Sequence, residues 1–365
     1  MNILHVLNTR CFGGVETHVL NCLRELKNRG HRAFLIYKES APGELKEKVE
    51  NFEIPHAILP LRGVNDIGSL IWMLKFCQQS KMDIIHTHHA NEAFRGGIIS
   101  SLYKQGRFFF TRHGCYGMSK LTLRFLKNAS KIIAISDSVK HFLLENGFPP
   151  EKVTRIYHGV PSSLTPTEIV PLRKQNLARN PIKLISINRL SEEKDPLLAV
   201  EILDWLVTNA PDTNWKLFVL GKDYSNNQAY YKSMTNMIEG RNLADKVELS
   251  GYIDDLSEYL KRAHIGVITS RIEGFGLAMI EMMSAGLPVL STPCEGPLEI
   301  IKDGVNGHIC RRDPAEFGQK IIDLIGDRER YCQVSRNNVD LYRSEFTTKH
   351  MVDELEQLYR SSKPN

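Results

Sequence analysis

Short apolar runs alternate with helical stretches twice over in this chain, and such alternation restricts the fold to parallel sheets with crossover helices. In the first series NILHVL, AFLIY, AILPL, DIIHTH, FFFTRH, KIIAIS and VTRIYHG read as strands. Val15, Val19, Cys22, Leu23 and Leu26 recur on one face of a helix predicted from Val15 to Arg29, and Gly30 ends it. The second series is IKLISINR, a helix near 196–208, WKLFVLG, a helix near 228–240, KVELSGY, IGVITS, PVLST and GHIC. Between the two, PSSLTPTEIVPLRKQNLARN holds three prolines and little periodicity, which marks residues 161–180 as a linker. The reading is therefore α/β, with two doubly wound Rossmann-like domains, residues 1–160 and 181–345, facing a cleft at the carboxyl ends of their strands. The final stretch, 346–365, reads as one amphipathic helix.

A length of 365 residues suits two domains, and 42% apolar with 24% charged residues is a globular composition. NILHVL starts at Asn2 with no basic region or cleavage site ahead of it, and nowhere do about 18 apolar residues run uninterrupted. The expectation is no signal peptide and no spanning helix. Seven cysteines without a CxxC pair fit a reducing cytoplasm better than a disulfide framework.

Charge is uneven. Residues 1–160 hold 22 Lys+Arg against 13 Asp+Glu, and the remainder 25 against 29, so net charges of +9 and −4 oppose each other. KLTLRFLKN (120–128) interleaves cations with Leu and Phe, a pattern suited to an anionic membrane surface. An ordinary solvated basic face has the same composition. Nucleic acid is not expected, because no RNP, helix-turn-helix or zinc-finger signature accompanies the basic region.

Residues 265–300, IGVITSRIEGFGLAMIEMMSAGLPVLSTPCEGPLEI, read as a buried strand, a glycine-rich turn with Glu273, a helix with Glu281 and a second buried strand. The same glutamate spacing occurs at Glu39/Glu47 and Glu193/Glu201, but only Glu273/Glu281 is framed by strand, glycine turn and strand. Gly274 and Gly276 let backbone amides approach a phosphate, and Ser284, Ala285 and Gly286 end the helix. Two carboxylates beside a row of amides suit a sugar attached to a nucleotide diphosphate, whose hydroxyls seek carboxylates and whose phosphates seek N–H donors.

Other strand ends carry candidates. Gly13-Gly14 follows the first strand without a GxGxxG fingerprint, so it reads as an anion or sugar turn, or as a plain tight turn. Arg189 ends IKLISINR and Lys194 lies five residues on, before Asp195 and Pro196, where two cations would neutralise a diphosphate. Pairing with Glu192 and Glu193 is the ordinary alternative. His113 follows FFFTR and is placed to bond a sugar hydroxyl, or is structural. In IIHTHH, His86 and His88 share a strand face and His89 points away, so no metal site is expected from these three. No Asp-x-Asp, GxSxG or HExxH occurs, which argues against a metal-bridged diphosphate and against nucleophilic or zinc hydrolases.

Taken together, GGVETHVLNCLRELKNRGH, DIIHTHH, TRHG, AISDSVK, HGV, NRLSEEKDP, LSGYIDDL, EGFGLAMIEMMSAGLPVL, GPLEII and DGVNGHI resemble the retaining glycosyltransferases of the GT-B fold, family four, also called glycosyl transferases group 1. The resemblance spans essentially the whole chain. It implies metal-independent transfer of a sugar from a nucleotide sugar, with no cofactor. It further implies that Glu273 contacts the donor sugar, Glu281 holds the ribose, and Arg189 and Lys194 bind the diphosphate. Amides around Gly274, Phe275, Gly276 and Leu277 add donors, while Gly14 and His113 lie near the transferred sugar. Catalytic roles thus fall on Glu273, His113, Arg189 and Lys194. The first domain takes the acceptor side and the terminal helix crosses back onto it.

Two departures are visible. Asn188 stands where the family usually has glycine, and HGVP (158–161) replaces the commoner Asn-Gly-Val-Asp. Neither removes a charged ligand. TPCEGPLEII is like bacterial surface-polysaccharide enzymes, which points to a UDP-linked hexose or N-acetylhexosamine and a lipid-linked sugar, lipopolysaccharide or other glycan acceptor. The enzyme is then cytoplasmic, or peripheral on the inner face of the membrane. The rivals are a sugar-nucleotide 2-epimerase, which would need acid–base groups not matched here, and a non-catalytic nucleotide-sugar-binding protein.

Overall fold

The computed structural model describes residues 1–63, 65–162, 164, 169, 173 and 180–362. They form two compact units, Met1–Val160 with Thr347–Asn365, and Pro161–Phe346.

Unit one is built on seven strands, β1 (Asn2–Leu7), β2 (Arg32–Lys38), β3 (His56–Leu59), β4 (Ile84–Thr87), β5 (Arg107–Arg112), β6 (Lys131–Ala134) and β7 (Val153–Arg155). All pair in parallel, in the order β3-β2-β1-β4-β5-β6-β7. Runs such as FFF in β5 are buried on both faces because helices cover both sides of a parallel sheet. The helix Gly14–Asn28 buries Val19, Cys22, Leu23 and Leu26, and Gly30 follows its end at φ 82°. Chain direction along the sheet reverses between β1 and β4, so the loops after these strands part and leave a crevice at their carboxyl ends.

Unit two repeats the plan with β8 (Ile182–Ile187), β9 (Trp215–Leu220), β10 (Val247–Gly251), β11 (Ile265–Ile268), β12 (Val289–Ser291) and β13 (Gly307–Ile309). The order is β10-β9-β8-β11-β12-β13, all parallel, with the reversal between β8 and β11. Its core gathers Leu184, Leu203, Leu217, Val267, Leu290 and Phe317. Each unit is thus a doubly wound parallel sheet, as the sequence predicts for both domains.

The terminal helix runs Thr348–Ser361, and the Thr347 hydroxyl accepts from the His350 N–H at 3.0 Å as its cap. It is shorter than the 20-residue reading, and 363–365 lie outside the described residues. It belongs to unit one. Met351, Val352, Leu355, Leu358 and Tyr359 are buried, Arg29 Nη1 lies 2.7 Å from both Asp353 and Glu356, and Tyr359 Oη is 2.6 Å from His86 Nδ1.

The 161–180 linker falls mostly outside the described residues. Those described behave otherwise than a solvated linker: Leu164, Ile169 and Arg173 are buried and belong to unit two, which extends to Phe346 rather than 345. Arg173 donates to the carbonyls of Ala285 (2.9 Å), Ala263 (2.6 Å) and Leu260 (2.6 Å). These carbonyls otherwise face a dry interior. Arg173→Met, which keeps volume and removes the donors, is therefore expected to lower the stability of unit two by about 1–3 kcal/mol or more, read as an earlier midpoint in urea unfolding; an unchanged midpoint would show that the carbonyls find other partners.

Candidate active site

In unit two the loops after β8, β11 and β12, three neighbouring strands, come together at the carboxyl edge where the strand order reverses. The β8 loop holds Arg189 and Lys194. Lys194 Nζ lies 2.8 Å from Glu273 Oε2, 3.3 Å from the Ile272 carbonyl oxygen and 3.7 Å from Glu193 Oε1. Arg189 is more exposed and sits 3.7 Å from Glu193 Oε2. The structure thus contains the ordinary Glu193 pairing and, beyond it, a half-buried Lys194–Glu273 pair that joins two loops. Asn188 keeps a negative φ and its amide donates to Ser186 Oγ at 2.9 Å, so the backbone here does not require the family's glycine.

Gly276 caps the helix Leu277–Ser284 at φ 95°, a left-handed conformation that suits glycine. Phe275 is buried, while Gly274, Leu277 and Glu281 are half-buried, Glu281 being on the helix itself. Gly296, at the start of the β12 helix, donates its N–H to the Glu273 carbonyl at 2.8 Å, and a Cβ there would meet the Phe275 carbonyl oxygen at 2.4 Å. The glycine in GPLEI is thus what lets this helix press against the Glu273 turn. Sequence reasoning missed the bracing beneath: buried Asp195 lies 3.2 Å from Arg271 Nη2 and also pairs with Arg312, while Thr269 Oγ1 donates to the Lys194 carbonyl at 3.1 Å. Chemically, the arrangement offers cations, a carboxylate and a helix N-terminus to one anionic, hydroxyl-bearing ligand.

In unit one the corresponding edge is lined by histidine. His5 lies on β1, His86 on β4, His88 just past β4, His113 just past β5, His18 one turn into the first helix, and His158 past β7. His5 Nδ1 and His88 Nε2 are 2.9 Å apart, His88 Nδ1 and His113 Nε2 are 3.2 Å apart, and the His18 and His158 rings stack at 3.8 Å. His86 and His88 do share a face, with rings 4.4 Å apart, but their third neighbour is His5 rather than His89. Ligand atoms of His5, His86 and His88 lie within 4.8 Å of one another. Only periodicity on separate strands was available to the sequence reading, so His5 and His18 were not singled out and His158 entered only as part of HGVP. Gly14 opens the first helix, and the neighbouring Gly13 N–H is already taken by Glu16 Oε2 at 2.9 Å.

Burial holds every one of these imidazoles below its ordinary value, with neighbouring rings adding to it at all but His18: His5 and His18 fall to about 3, and His86, His88, His113 and His158 also lie well below 6.5. Nearby, burial pushes Glu92 up to about 7 despite bonds at 2.9 Å from Asn8 and Arg95.

The matches to known proteins divide along the same line. Residues 171–339 match the family described as glycosyl transferases group 1, and 12–164 match glycosyltransferase family 4. An Escherichia coli protein named UDP-Gal:alpha-D-GlcNAc-diphosphoundecaprenol alpha-1,3-galactosyltransferase is 24% identical over 98% of this chain and 96% of its own. The poly(glycerol-phosphate) alpha-glucosyltransferase of Bacillus subtilis is 29% identical over 81% of this chain and 42% of its own. Among solved structures, a Rickettsia africae glycosyltransferase superposes with TM-score 0.83 at 21% identity, covering 98% of this chain and 97% of that one. Anabaena Alr3699/HepE, in complex with UDP and glucose, gives 0.81 at 21% identity over 99% and 100%.

Six neutral buried imidazoles have a consequence for stability. Because the folded values lie below the unfolded one, the unfolded chain takes up protons first as pH falls. The stability of unit one is therefore complete above about pH 6.5 and lost below it, on the order of 1 kcal/mol per ring per pH unit. Melting followed by near-UV circular dichroism between pH 7.5 and 5 should show a steep fall, with amides of β1, β4 and β5 losing exchange protection first; a melting temperature flat across this range would contradict neutral burial.

Proposed function

The chain belongs to the GT-B glycosyltransferases of family four, the glycosyl transferases group 1, and on that premise we propose that it moves a hexose or N-acetylhexosamine from a UDP-sugar to a lipid-linked sugar or other surface-glycan acceptor, with retention and without a metal. It is a glycosyltransferase that uses a nucleotide-sugar donor. The observation that carries the finer reading is the convergence of Arg189, Lys194, Glu273 and the Gly276-capped helix at the switch point of the unit-two sheet.

In this reading Arg189 and Lys194 take the diphosphate, and amides at Gly274, Phe275, Gly276 and Leu277 add donors at the helix N-terminus. Glu273 accepts from the sugar hydroxyls, and Glu281 from the ribose. Lys194, already 2.8 Å from Glu273, is shared between that carboxylate and the phosphate, so it locks the sugar-binding turn to the leaving group. Charge growing on the departing diphosphate is met by fixed cations and dipoles, an effect that contributes about 100- to 1,000-fold per donor in general. In unit one, Gly14 and His113 serve the transferred sugar. UDP as the nucleotide is supported by the printed names of the E. coli galactosyltransferase and the Anabaena complex, and the diphosphoundecaprenol in the former name supports a lipid-linked acceptor. The E. coli and B. subtilis relatives are named as transferases, which favours neither the epimerase nor the binding-protein reading.

A membrane-borne acceptor gives the basic stretch a use. Lys120, Leu121, Arg124 and Lys127 are all exposed, on and just beyond the helix Lys120–Leu126, with exposed Tyr116 nearby in sequence. Cations around protruding apolar side chains suit the inner leaflet. No helix among the described residues is long and apolar enough to cross a membrane.

Two measurements test this. Calorimetric titration with UDP should show Arg189→Ala and Lys194→Ala each losing a contact of about 1.5–3 kcal/mol; Glu281→Gln should weaken UDP as well, while Glu273→Gln should chiefly reduce turnover. Undiminished UDP affinity in both alanine variants would refute the diphosphate assignment, and equal UDP losses in both glutamine variants would refute the division between sugar and ribose. Reversing Lys120, Arg124 and Lys127 to Glu should abolish co-sedimentation with phosphatidylglycerol vesicles, each cation contributing about 1 kcal/mol, and slow transfer to a lipid acceptor while sparing hydrolysis of the donor. Unchanged vesicle binding returns the stretch to an ordinary solvated face.

A further inference from the structure

We propose that the helix Ile67–Gln79 of unit one is the apolar anchor of a membrane-docking face, its Ile67, Ile71 and Trp72 side chains entering the headgroup region of an anionic leaflet while the cations around them meet the lipid phosphates. This rests on the reading of a membrane-borne acceptor, and adds to the basic stretch a second helix whose contribution is apolar.

The helix faces the wrong way for an ordinary water-covered surface. Ser69, Met73 and Cys77, spaced four apart, are buried. Ile67, Ile71 and Lys75 keep the same spacing two residues out of phase, about 200° round the helix, and so point away from the core. Ile67 and Ile71 are 64% and 48% exposed. A surface helix normally turns its polar residues outward; here a serine is buried and two isoleucines are not. Inside, the Ser69 hydroxyl donates to Asp66 Oδ2 at 2.7 Å. Trp72 flanks the isoleucines and is exposed as well, with its ring stacked on Phe76 at 5.2 Å and Phe76 in turn 4.5 Å from Phe34. An indole backed by packed rings and partly open to solvent is disposed as tryptophans are at a water–lipid boundary.

Topology joins this helix to the basic stretch. Travel along the sheet runs one way from β1 to β3 and the other way from β4 to β7, so right-handed crossovers put Ile67–Gln79, Ala90–Leu102 and Lys120–Leu126 on one side of the sheet, and Gly14–Asn28 and Gly43–Asn51 on the other. Ala90–Leu102 packs against both of its neighbours in that layer. Every exposed large apolar side chain carried by a described helix of unit one lies in this layer, Leu102 and Leu121 being the remaining two.

Charge is sorted in the same way. Among the described residues between 60 and 128 every exposed charged side chain is a cation, with Arg62, Lys75, Lys81 and Lys104 joining Lys120, Arg124 and Lys127. The three carboxylates of that span turn inward, Asp66 onto Ser69, Asp83 onto the Asn2 N–H, and Glu92 onto Asn8 and Arg95. The opposite layer, completed by the terminal helix against Gly14–Asn28, mixes signs: it exposes Glu47, Glu50 and Asp353 as well as Arg24 and Lys349, and no large apolar side chain. An apolar centre among charges of one sign fits a surface that is anionic above and oily beneath. A second copy of this chain would bring the same cations against themselves.

Tryptophan emission provides the test, because of the three tryptophans Trp215 is buried and Trp205 half-buried, which leaves Trp72 as the exposed reporter. Full-length protein is titrated with phosphatidylglycerol and with phosphatidylcholine vesicles. The parent should show a blue shift on phosphatidylglycerol and quenching by its brominated form, both absent in Trp72→Phe, and little change on phosphatidylcholine. The double variant Ile67→Gln/Ile71→Gln, which alters only exposed side chains, should bind phosphatidylglycerol vesicles more weakly by roughly 10-fold per isoleucine, with UDP affinity and donor hydrolysis unchanged. Undiminished vesicle affinity in the double variant, or emission that stays fixed while the parent binds, would overturn the anchor; loss of binding on reversing Lys120, Arg124 and Lys127 would then leave the basic stretch standing without it. A parent that binds neither kind of vesicle would remove the membrane reading and the anchor together. Self-association of the parent that disappears in the double variant would overturn the anchor in favour of a second copy on this face.

Discussion

Parallel pairing is the constraint from which the rest of this molecule follows. When every strand of a sheet runs the same way, every strand ends on the same edge, and the loops that leave those ends are neighbours whatever their distance along the chain. In unit two this brings Lys194 and Glu273, 79 residues apart, to 2.8 Å. In unit one it brings His5 and His88, 83 residues apart, to 2.9 Å. Because strand order reverses once in each sheet, the crossover helices diverge at that point and the loops there are left open to a ligand rather than covered.

The two edges solve opposite electrostatic problems. Unit two keeps charged groups at a rim where Arg189, Lys194, Glu193 and Glu273 retain part of their solvation and so cost little to hold in place. Unit one buries its polar groups far more deeply and does so by keeping them neutral. A protonated imidazole among six would lose its solvation with no carboxylate in the cluster to compensate, so burial keeps the rings neutral and joined by hydrogen bonds. The terminal helix belongs to this arrangement: Tyr359 reaches from it to His86 and so ties the far end of the chain to the histidine edge.

Much of this was legible before any coordinates. Hydrophobic runs located most of the strands and the glycine turn of EGFG was readable, whereas the close approach of Gly296 in GPLEI to that turn came only with the fold. Helices such as Ile67–Gln79 and Arg328–Glu345 were passed over, the latter because its polar surface dilutes the periodic signal. The 161–180 stretch read as a linker because prolines break periodicity, yet Ile169 and Arg173 are core residues of unit two. A cation that satisfies three backbone carbonyls leaves no hydrophobic pattern to find.

By itself, the sequence determined that this chain makes two α/β units and that its chemistry lies at strand ends, because both properties follow from local spacing: period 2 or 3.6 within an element, and glycine where a turn needs it. Only the tertiary structure decided which strand ends are neighbours. Strand order depends on long-range pairing and on which side each crossover helix packs, and neither leaves a local signature. His113 is therefore readable as a candidate from FFFTRHG, whereas its contact with His88, and through His88 with His5, becomes visible only where β1, β4 and β5 lie side by side and ring nitrogens come within 3.2 Å.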